Sequence, residues 1–156
     1  MTSDKRYEIA LGTVADIGNI VRFQVAMALE SEGTVLNTER VTAGVTAAIN
    51  DPNRGFYIVA KLDGNTVGSL MVTKEWSDWN NQWYWWVQSV YVTPEHRKSG
   101  VFRALYESVK ERAAANSVSQ IRLYVDKDNI SAQSVYRSTG LDECHYIMYE
   151  EHIPKR

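Results

Sequence analysis

Apolar residues recur along this chain with two periods, and the switches between them mark its elements. Tyr7-Glu-Ile-Ala-Leu-Gly12 alternates as a half-buried strand does. Ile17, Ile20, Val21, Val25 and Ala28 then share one helical face, which fades at Glu30-Ser-Glu-Gly33. Just ahead of it, Thr13-Val-Ala-Asp16 has the form of a capping box, with Asp in place of the usual Glu or Gln. A second helix is expected from Asn37 or Thr38, with Val41, Val45, Ala48 and Ile49 at helical spacing, until Pro52 and Gly55 break it. Residues 56–62 and 67–73 are strand-like runs around Asp63-Gly-Asn-Thr, a tight-turn signal, and predict a hairpin. A polar-aromatic connection, residues 76–82, leads into a third antiparallel strand at 83–92.

That third strand ends at Val92, because Pro94 has no N–H and fixes φ. A basic loop follows at 95–100, then a helix from about Val101 to about Ala115. Phe102, Leu105, Tyr106, Val109 and Ala113 form its apolar stripe, and Arg103, Glu107, Lys110 and Glu111 its solvated face. Residues 120–125 read as a strand parallel to 83–92, reached by a right-handed crossover. A short helix at 131–138 carries Ala132, Val135 and Tyr136 on one face, with Gly140 where a C′ glycine is wanted. A last strand is expected at 144–150. The predicted architecture is α/β (α+β): a mixed, mostly antiparallel central sheet of about six to seven strands, with helices on both faces, in a single domain over 1–156.

The joint at 92–103 has a chemical consequence. A helix start presents unpartnered N–H groups and the positive end of its dipole, which together suit phosphate. Arg97, Lys98 and Arg103 add charge, and Gly100 allows close backbone approach. Two readings stand on spacing alone: a pyrophosphate cradle, or an ordinary surface loop with a few cations.

Val90-Tyr-Val92 followed by Arg97-Lys-Ser-Gly100-Val-Phe102 resembles the acetyl-CoA motif of the GNAT acyltransferases, Arg/Gln-x-x-Gly-x-Gly/Ala directly after a strand. About 30 residues downstream, Asn129-Ile-Ser-Ala132-Gln-Ser-Val-Tyr136-Arg-Ser-Thr-Gly140-Leu resembles the family's Asn-x-x-Ala-x-x-x-Tyr-x-x-x-Gly-Phe/Leu. Phe102 departs from the pattern, standing where the family usually has Gly or Ala. It fits if its ring turns into the core.

The resemblance implies a GNAT-like fold whose two parallel strands splay at the ligand. It implies transfer of an acetyl group from acetyl-CoA, as co-substrate, to a primary amine of a small molecule or peptide, by direct attack in a ternary complex. It assigns Val90, Tyr91 and Val92 to the strand that offers backbone groups to the pantetheine arm. Arg97, Lys98, Ser99, Gly100, Val101, Phe102 and Arg103 fall to the pyrophosphate. Asn129 is assigned a place near the pantetheine, and Tyr136 one near the CoA sulfur as general acid. The other reading of Tyr136 is a packed helix aromatic with a satisfied hydroxyl. A non-catalytic CoA-binding sensor or interaction module of the same fold is the alternative function, and a domain binding some other anion a third. A homodimer is a common outcome in the family.

The general base is not named by the sequence. Where many family members carry a strand carboxylate, this chain has Gln88 and Ser89. Glu30, Glu32, Glu75 and Asp78 sit in segments expected to border the acceptor side. Two or more converging would favour a cationic acceptor; singly, each reads as a solvated surface charge. Alternation puts Trp83 and Trp85 on one face and Tyr84 and Trp86 on the other. With Trp76 and Trp79 these rings read as an acceptor pocket, an ammonium cage, a dimer contact, or plain cover for the sheet.

Composition narrows the partners. The net charge of −2 argues against broad nucleic-acid binding. No apolar run is long enough to span a membrane. Met1-Thr-Ser-Asp-Lys-Arg6 is followed by no signal-like apolar core, so a cytoplasmic location is expected. A single cysteine, Cys144, excludes an intrachain disulfide. His96 reads as solvent-facing or a minor phosphate contact, and adjacent Cys144 and His145 point to opposite faces of a strand. No His/Cys spacing suggests a metal.

Overall fold

A computed structural model describes residues 7–155. These fall into two compact units that meet at the Tyr124–Val125 bond, each described here by itself.

The first unit holds five strands in the order β1-β2-β3-β4-β5: β1 (Glu8–Leu11), β2 (Phe56–Leu62), β3 (Asn65–Ser77), β4 (Gln82–Val92) and β5 (Val118–Arg122). β1 to β4 pair antiparallel, and β5 joins β4 in parallel after the crossover through α3 (Val101–Ala115). Helices α1 (Ile17–Glu32) and α2 (Thr38–Asn50) precede β2. Tyr57 and Val59 of β2 pack with Ile20, Val21, Val45 and Ala48 in one apolar cluster under α1 and α2. Alternation turns Ile58 and Ala60 to the other face, where α3 packs through Val101, Leu105, Tyr106, Val109 and Ala113. Helices on both faces of a mixed sheet are thus as the periodicities predict.

The helix ends follow local chemistry. The Thr13 N–H donates to the Asp16 carboxylate at 2.8 Å, closing the capping box ahead of α1, and Gly33 at φ 64° terminates α1. Asn37 accepts the Arg40 N–H at 2.9 Å and starts α2.

Several boundaries are corrected. β3 runs on to Ser77, so Trp76 belongs to the strand, because its ladder with β4 continues through Trp76 opposite Trp83. β5 starts at Val118 and ends at Arg122, two residues earlier than expected at its start, where pairing to Trp83 begins. On α3 the inner stripe begins at Val101, which is buried, while Phe102 is half-buried and stacks on Tyr106 at 5.8 Å between ring centres.

The second unit contains α4 (Ile130–Ser138) and the tail after it. The Asn129 side chain accepts the Ala132 N–H at 3.0 Å at the start of α4. At its end the N–H of Gly140 reaches the Arg137 carbonyl and that of Leu141 the Tyr136 carbonyl, both at 3.1 Å, with Gly140 at φ 102°. This is a Schellman closure, which needs the left-handed C′ residue that glycine supplies. The expected last strand at 144–150 does not form among the described residues. The sheet therefore has five strands rather than six or seven. Alternation alone makes no strand, because a strand is stable only with a ladder partner.

Candidate functional site

β4 carries two irregularities that matter. The β3 register places Ser69 opposite Tyr91 and Met71 opposite Gln88, so Ser89 and Val90 both face Leu70. This is a bulge, with Ser89 in the left-handed region at φ 55°. Such strain in a non-glycine residue is characteristic of ligand-binding backbone. The second irregularity is on the other edge. Pairing with β5 stops at Trp86 and Arg122, yet β4 continues to Val92. From Val87 onward β4 thus has no ladder partner on its β5 side among the described residues. Val90 and Val92 lie on that stretch, half-buried.

At Val92 the chain enters the loop, which many bonds fix. The Thr93 N–H donates to the Val67 carbonyl at 2.9 Å, and the Thr93 hydroxyl meets His96 Nδ1 at 2.9 Å. His96 is thereby part of the loop's own framework. The Ser99 hydroxyl donates to the His96 carbonyl and lies 2.9 Å from the Tyr7 hydroxyl of the segment entering β1. Lys98 at φ 61° and Gly100 at φ 87° turn the backbone left-handed on either side of Ser99. Alternation of this kind forms the concave peptide nests that hold anions. The first backbone bond of α3 runs from the Ala104 N–H to the Gly100 carbonyl, and the turn before it faces the loop. Space is available there: a Cβ built on Gly100 meets no atom within 4 Å. Gly68 lets the helix start sit close to the sheet, for a Cβ there would lie 3.0 Å from both the Tyr91 carbonyl oxygen and Val101 Cγ1.

Two residues assigned to this site turn elsewhere. Tyr91 is buried toward α1, stacked on Phe23 at 5.1 Å, and its hydroxyl donates to Glu30 Oε1 at 3.0 Å. Only its backbone lies along the free edge. Arg97 donates through Nε to the Val92 carbonyl at 2.9 Å and through Nη2 to Glu30 Oε2 at 2.7 Å. Glu30 is thus a counter-ion to Arg97 beside the loop, a role with no local sequence signal. The Arg97 hydrogen bond is the main reason the Glu30 carboxyl sits below its ordinary value; burial opposes it and the Tyr91 hydroxyl adds to it. A depressed carboxyl stabilises the fold above its ordinary pKa of 4.5, and that contribution disappears as pH falls through the folded value. Glu30→Gln is expected to keep the Tyr91 contact and to release Arg97 toward a bound phosphate. Calorimetry should then find CoA affinity raised about threefold at low salt, the gain vanishing at high salt, as a rim ion pair of ~1 kcal/mol implies. Weaker binding would mean that Glu30 serves to aim Arg97.

The other carboxylate of interest is also engaged. Glu75 accepts the Trp86 indole N–H at 3.0 Å and the Arg122 guanidinium at 3.2 Å. Arg122 lies over the Tyr84 ring at 4.4 Å and near the Trp86 ring at 5.9 Å. Two of the rings read as an ammonium cage, Tyr84 and Trp86, therefore already face a cation of the chain itself. This group spans β3, β4 and β5 at the last β4–β5 pair. Gln88 donates to the Thr73 hydroxyl at 3.1 Å, so this β4 position holds a neutral hydrogen-bonding group. Trp85 is core, edge-on to Phe56 at 5.2 Å, while Trp76 and Trp83 stack edge-on at 4.9 Å and stay exposed with Trp79. A separate cleft of about 330 Å³, with Phe56, Lys74, Arg112 and Asn116 in its lining, lies at the C-terminal end of α3, away from the loop.

In the second unit Tyr136 is half-buried in α4, and burial raises its phenol above the ordinary value. Asn129 spends its carbonyl oxygen on the helix cap. Cys144 is free and exposed. Among the described residues no cluster of His, Cys, Asp or Glu could hold a metal ion, and no helix is long and apolar enough to cross a membrane.

The model of the acetyltransferase (GNAT) family matches residues 25–141. The chain belongs to the GNAT acetyltransferase family. Acetyl-CoA is the family's co-substrate. A possible acetyltransferase from Clostridium difficile 630 superposes with a TM-score of 0.89 at 37% identity, over 96% of this chain and 99% of that one. An aminoglycoside acetyltransferase from an uncultured soil metagenomic sample shares the fold, with a TM-score of 0.75 at 16% identity over 97% and 99% of the two chains. A mycothiol acetyltransferase of Kocuria rhizophila is 38% identical over 64 residues, which are 40% of this chain and 21% of that protein. This chain thus matches about a fifth of that relative's length.

Proposed function

We propose that this GNAT protein transfers an acetyl group from acetyl-CoA to a primary amine of a small molecule or peptide, by direct attack in a ternary complex. The observation that carries the reading is the continuity of residues 87–103, from a strand edge with no ladder partner among the described residues, through a left-handed basic loop, into a helix start. Edge peptide groups of Val90 and Val92 are suited to the amides of a pantetheine arm. The nest at Lys98–Gly100 and the first turn of α3 are suited to a pyrophosphate, with Lys98, Arg103 and a released Arg97 supplying charge. In the reaction the amine nitrogen bonds to the acetyl carbon as the C–S bond breaks. The sulfur takes the electron pair and a proton, which we assign to the Tyr136 hydroxyl; the amine gives up one proton to solvent water, and solvent returns a proton to the Tyr136 phenolate. Asn129 supports this arrangement by fixing the start of α4. No covalent acyl-enzyme is invoked, since no Cys or Ser stands in an activating motif.

A second reading is favoured by a specific observation. Glu30 is bonded to Arg97 and Tyr91, Glu75 to Arg122 and Trp86, and β4 offers Gln88 in place of a base. With two of its four candidate carboxylates, Glu30 and Glu75, engaged, the chain also suits a CoA-binding sensor that does not turn over. Thiol release from acetyl-CoA separates the two. An enzyme gives acceptor-dependent release with at least one class in a panel of polyamines, aminoglycosides, amino acids and peptides. Micromolar CoA binding with no amine-stimulated release across that panel would leave the sensor.

A further inference from the structure

The sheet outruns the helix packed on it. β3 has 13 residues and β4 11, about 43 and 36 Å of strand, against about 22 Å for the 15 residues of α3. Past its C-terminal end, α3 leaves a strip of its own face of the sheet uncovered, and the cleft of about 330 Å³ lies there. Register sets its floor. Phe56 alternates with Ile58 and Ala60, so it shares the face on which α3 packs. Phe56 stands opposite Val72, and Lys74, two positions on, stands opposite Trp85. Phe56, Lys74 and Trp85 therefore belong to one face. Phe56 and Trp85 meet edge to face at 5.2 Å, and Leu11, Ile49 and Pro52 add apolar walls. All of the lining belongs to the first unit.

Two cations line this apolar cleft, Lys74 and Arg112, and no Asp or Glu does. Lys74 makes no ion pair or hydrogen bond among the described residues. Arg112 Nε donates to Ser108 Oγ at 3.3 Å, which aims the guanidinium, while its Nη groups donate to nothing among the described residues. Asp51, one residue before Pro52, is paired with Arg54 at 3.7 Å. The dipole of α3 accounts for a cation in its last turn, and Arg112 is that cation. It does not account for Lys74, which stands on the sheet. We propose that the cleft is a binding site for a small aromatic carboxylate, separate from the strand-loop-helix site at the other end of α3. The ring lies against Phe56 and the edge of Trp85, and the carboxylate meets Lys74 and the free fork of Arg112. Volume selects the size class, since about 330 Å³ is at the low end of small-molecule pockets. Charge selects the anion, and the flat aromatic floor selects a ring over a hydrated inorganic ion.

The test uses the full chain and needs no acetyl transfer. Indole-3-acetate is titrated into the labelled protein and the backbone amide resonances are followed. Saturable shifts are expected at residues 55–57, 74, 85 and 112–116, with Kd on the order of 0.1–1 mM, as suits a ligand of this size. Indole-3-acetamide, which has the ring without the charge, is expected to bind at least tenfold more weakly, and tryptamine not at all. Lys74→Gln/Arg112→Gln keeps side-chain length and removes both charges. This variant is expected to weaken indole-3-acetate at least tenfold, with an amide spectrum otherwise unchanged and acetyl-CoA affinity within twofold of the parent. Saturating acetyl-CoA is expected to leave the indole-3-acetate shifts in place. Absence of saturable shifts at 10 mM ligand overturns the proposal. So does equal binding of the acetamide, or full affinity in the double variant, since either shows that the cations take no part. Shifts centred on 87–103, or displaced by acetyl-CoA, would assign the ligand to the strand-loop-helix site and overturn it as well.

Discussion

Gly100→Glu is expected to remove acetyl-CoA binding by about a thousandfold, roughly 4 kcal/mol, while the protein stays folded. The loss has two parts, which a companion variant separates. Any L-residue at φ 87° carries left-handed strain of about 1–2 kcal/mol, so Gly100→Ala should weaken binding by no more than about tenfold. Sterics within the protein add little, because a Cβ at this position meets no atom within 4 Å. The remainder is electrostatic. A carboxylate at Gly100 sits at the positive end of α3 near Lys98 and Arg103, and there it takes the place we propose for phosphate. The helix end would favour that carboxylate, which is why the fold should survive. Calorimetric titration with acetyl-CoA reads both variants. If Gly100→Glu binds within threefold of the parent, the phosphates lie elsewhere and the loop is only a surface turn.

What the sequence makes legible here is what short-range chemistry decides. Thr13 with Asp16, Asn37, and the Asn129-to-Gly140 span each act within a few residues, and each caps a helix as its pattern predicts. The strand-loop-helix joint is local in the same sense, since Pro94 ends β4 and Gly100 opens α3. Features that depend on a distant partner leave no such trace. The bulge at Ser89 exists only through the β3 register that sets two residues against Leu70. Glu30 reaches Arg97 across 67 positions, and Arg122 reaches Glu75 across 47. Both contacts remove a charge from the role its local context suggests. The Phe102 position is a subtler case. Val101 and Phe102 are one helical step apart, about 100°, and both lie near the edge of a wide apolar stripe. Which one faces the core is set by the close fit of Val101 over Gly68, a tertiary contact. The tail fails differently, because its alternation is real and the ladder it needs is not in the chain's own described sheet.

Tyr136→Phe is expected to lower kcat by a hundredfold or more, with KM for acetyl-CoA changed less than about threefold. The substitution keeps the ring and removes one hydroxyl, so α4 and its Schellman closure should persist. Burial keeps this phenol protonated beyond its ordinary value of 10.0, which suits a group that must hold its proton at neutral pH until the thiolate forms. The sign of the pH effect follows. A raised phenol pKa favours the folded, neutral form; that stability is complete below pH 10 and is lost as pH rises through the folded value. Activity that depends on Tyr136 should therefore show no basic decline from this group below pH 10, and any decline above it should be absent from the residual rate of Tyr136→Phe. The split between kcat and KM carries the decision. A fall in kcat alone identifies a proton donor to the leaving sulfur, since the lost hydroxyl then matters only as negative charge develops. A rise in KM with kcat unchanged would make Tyr136 a packing residue of α4, and the proton would have to come from water.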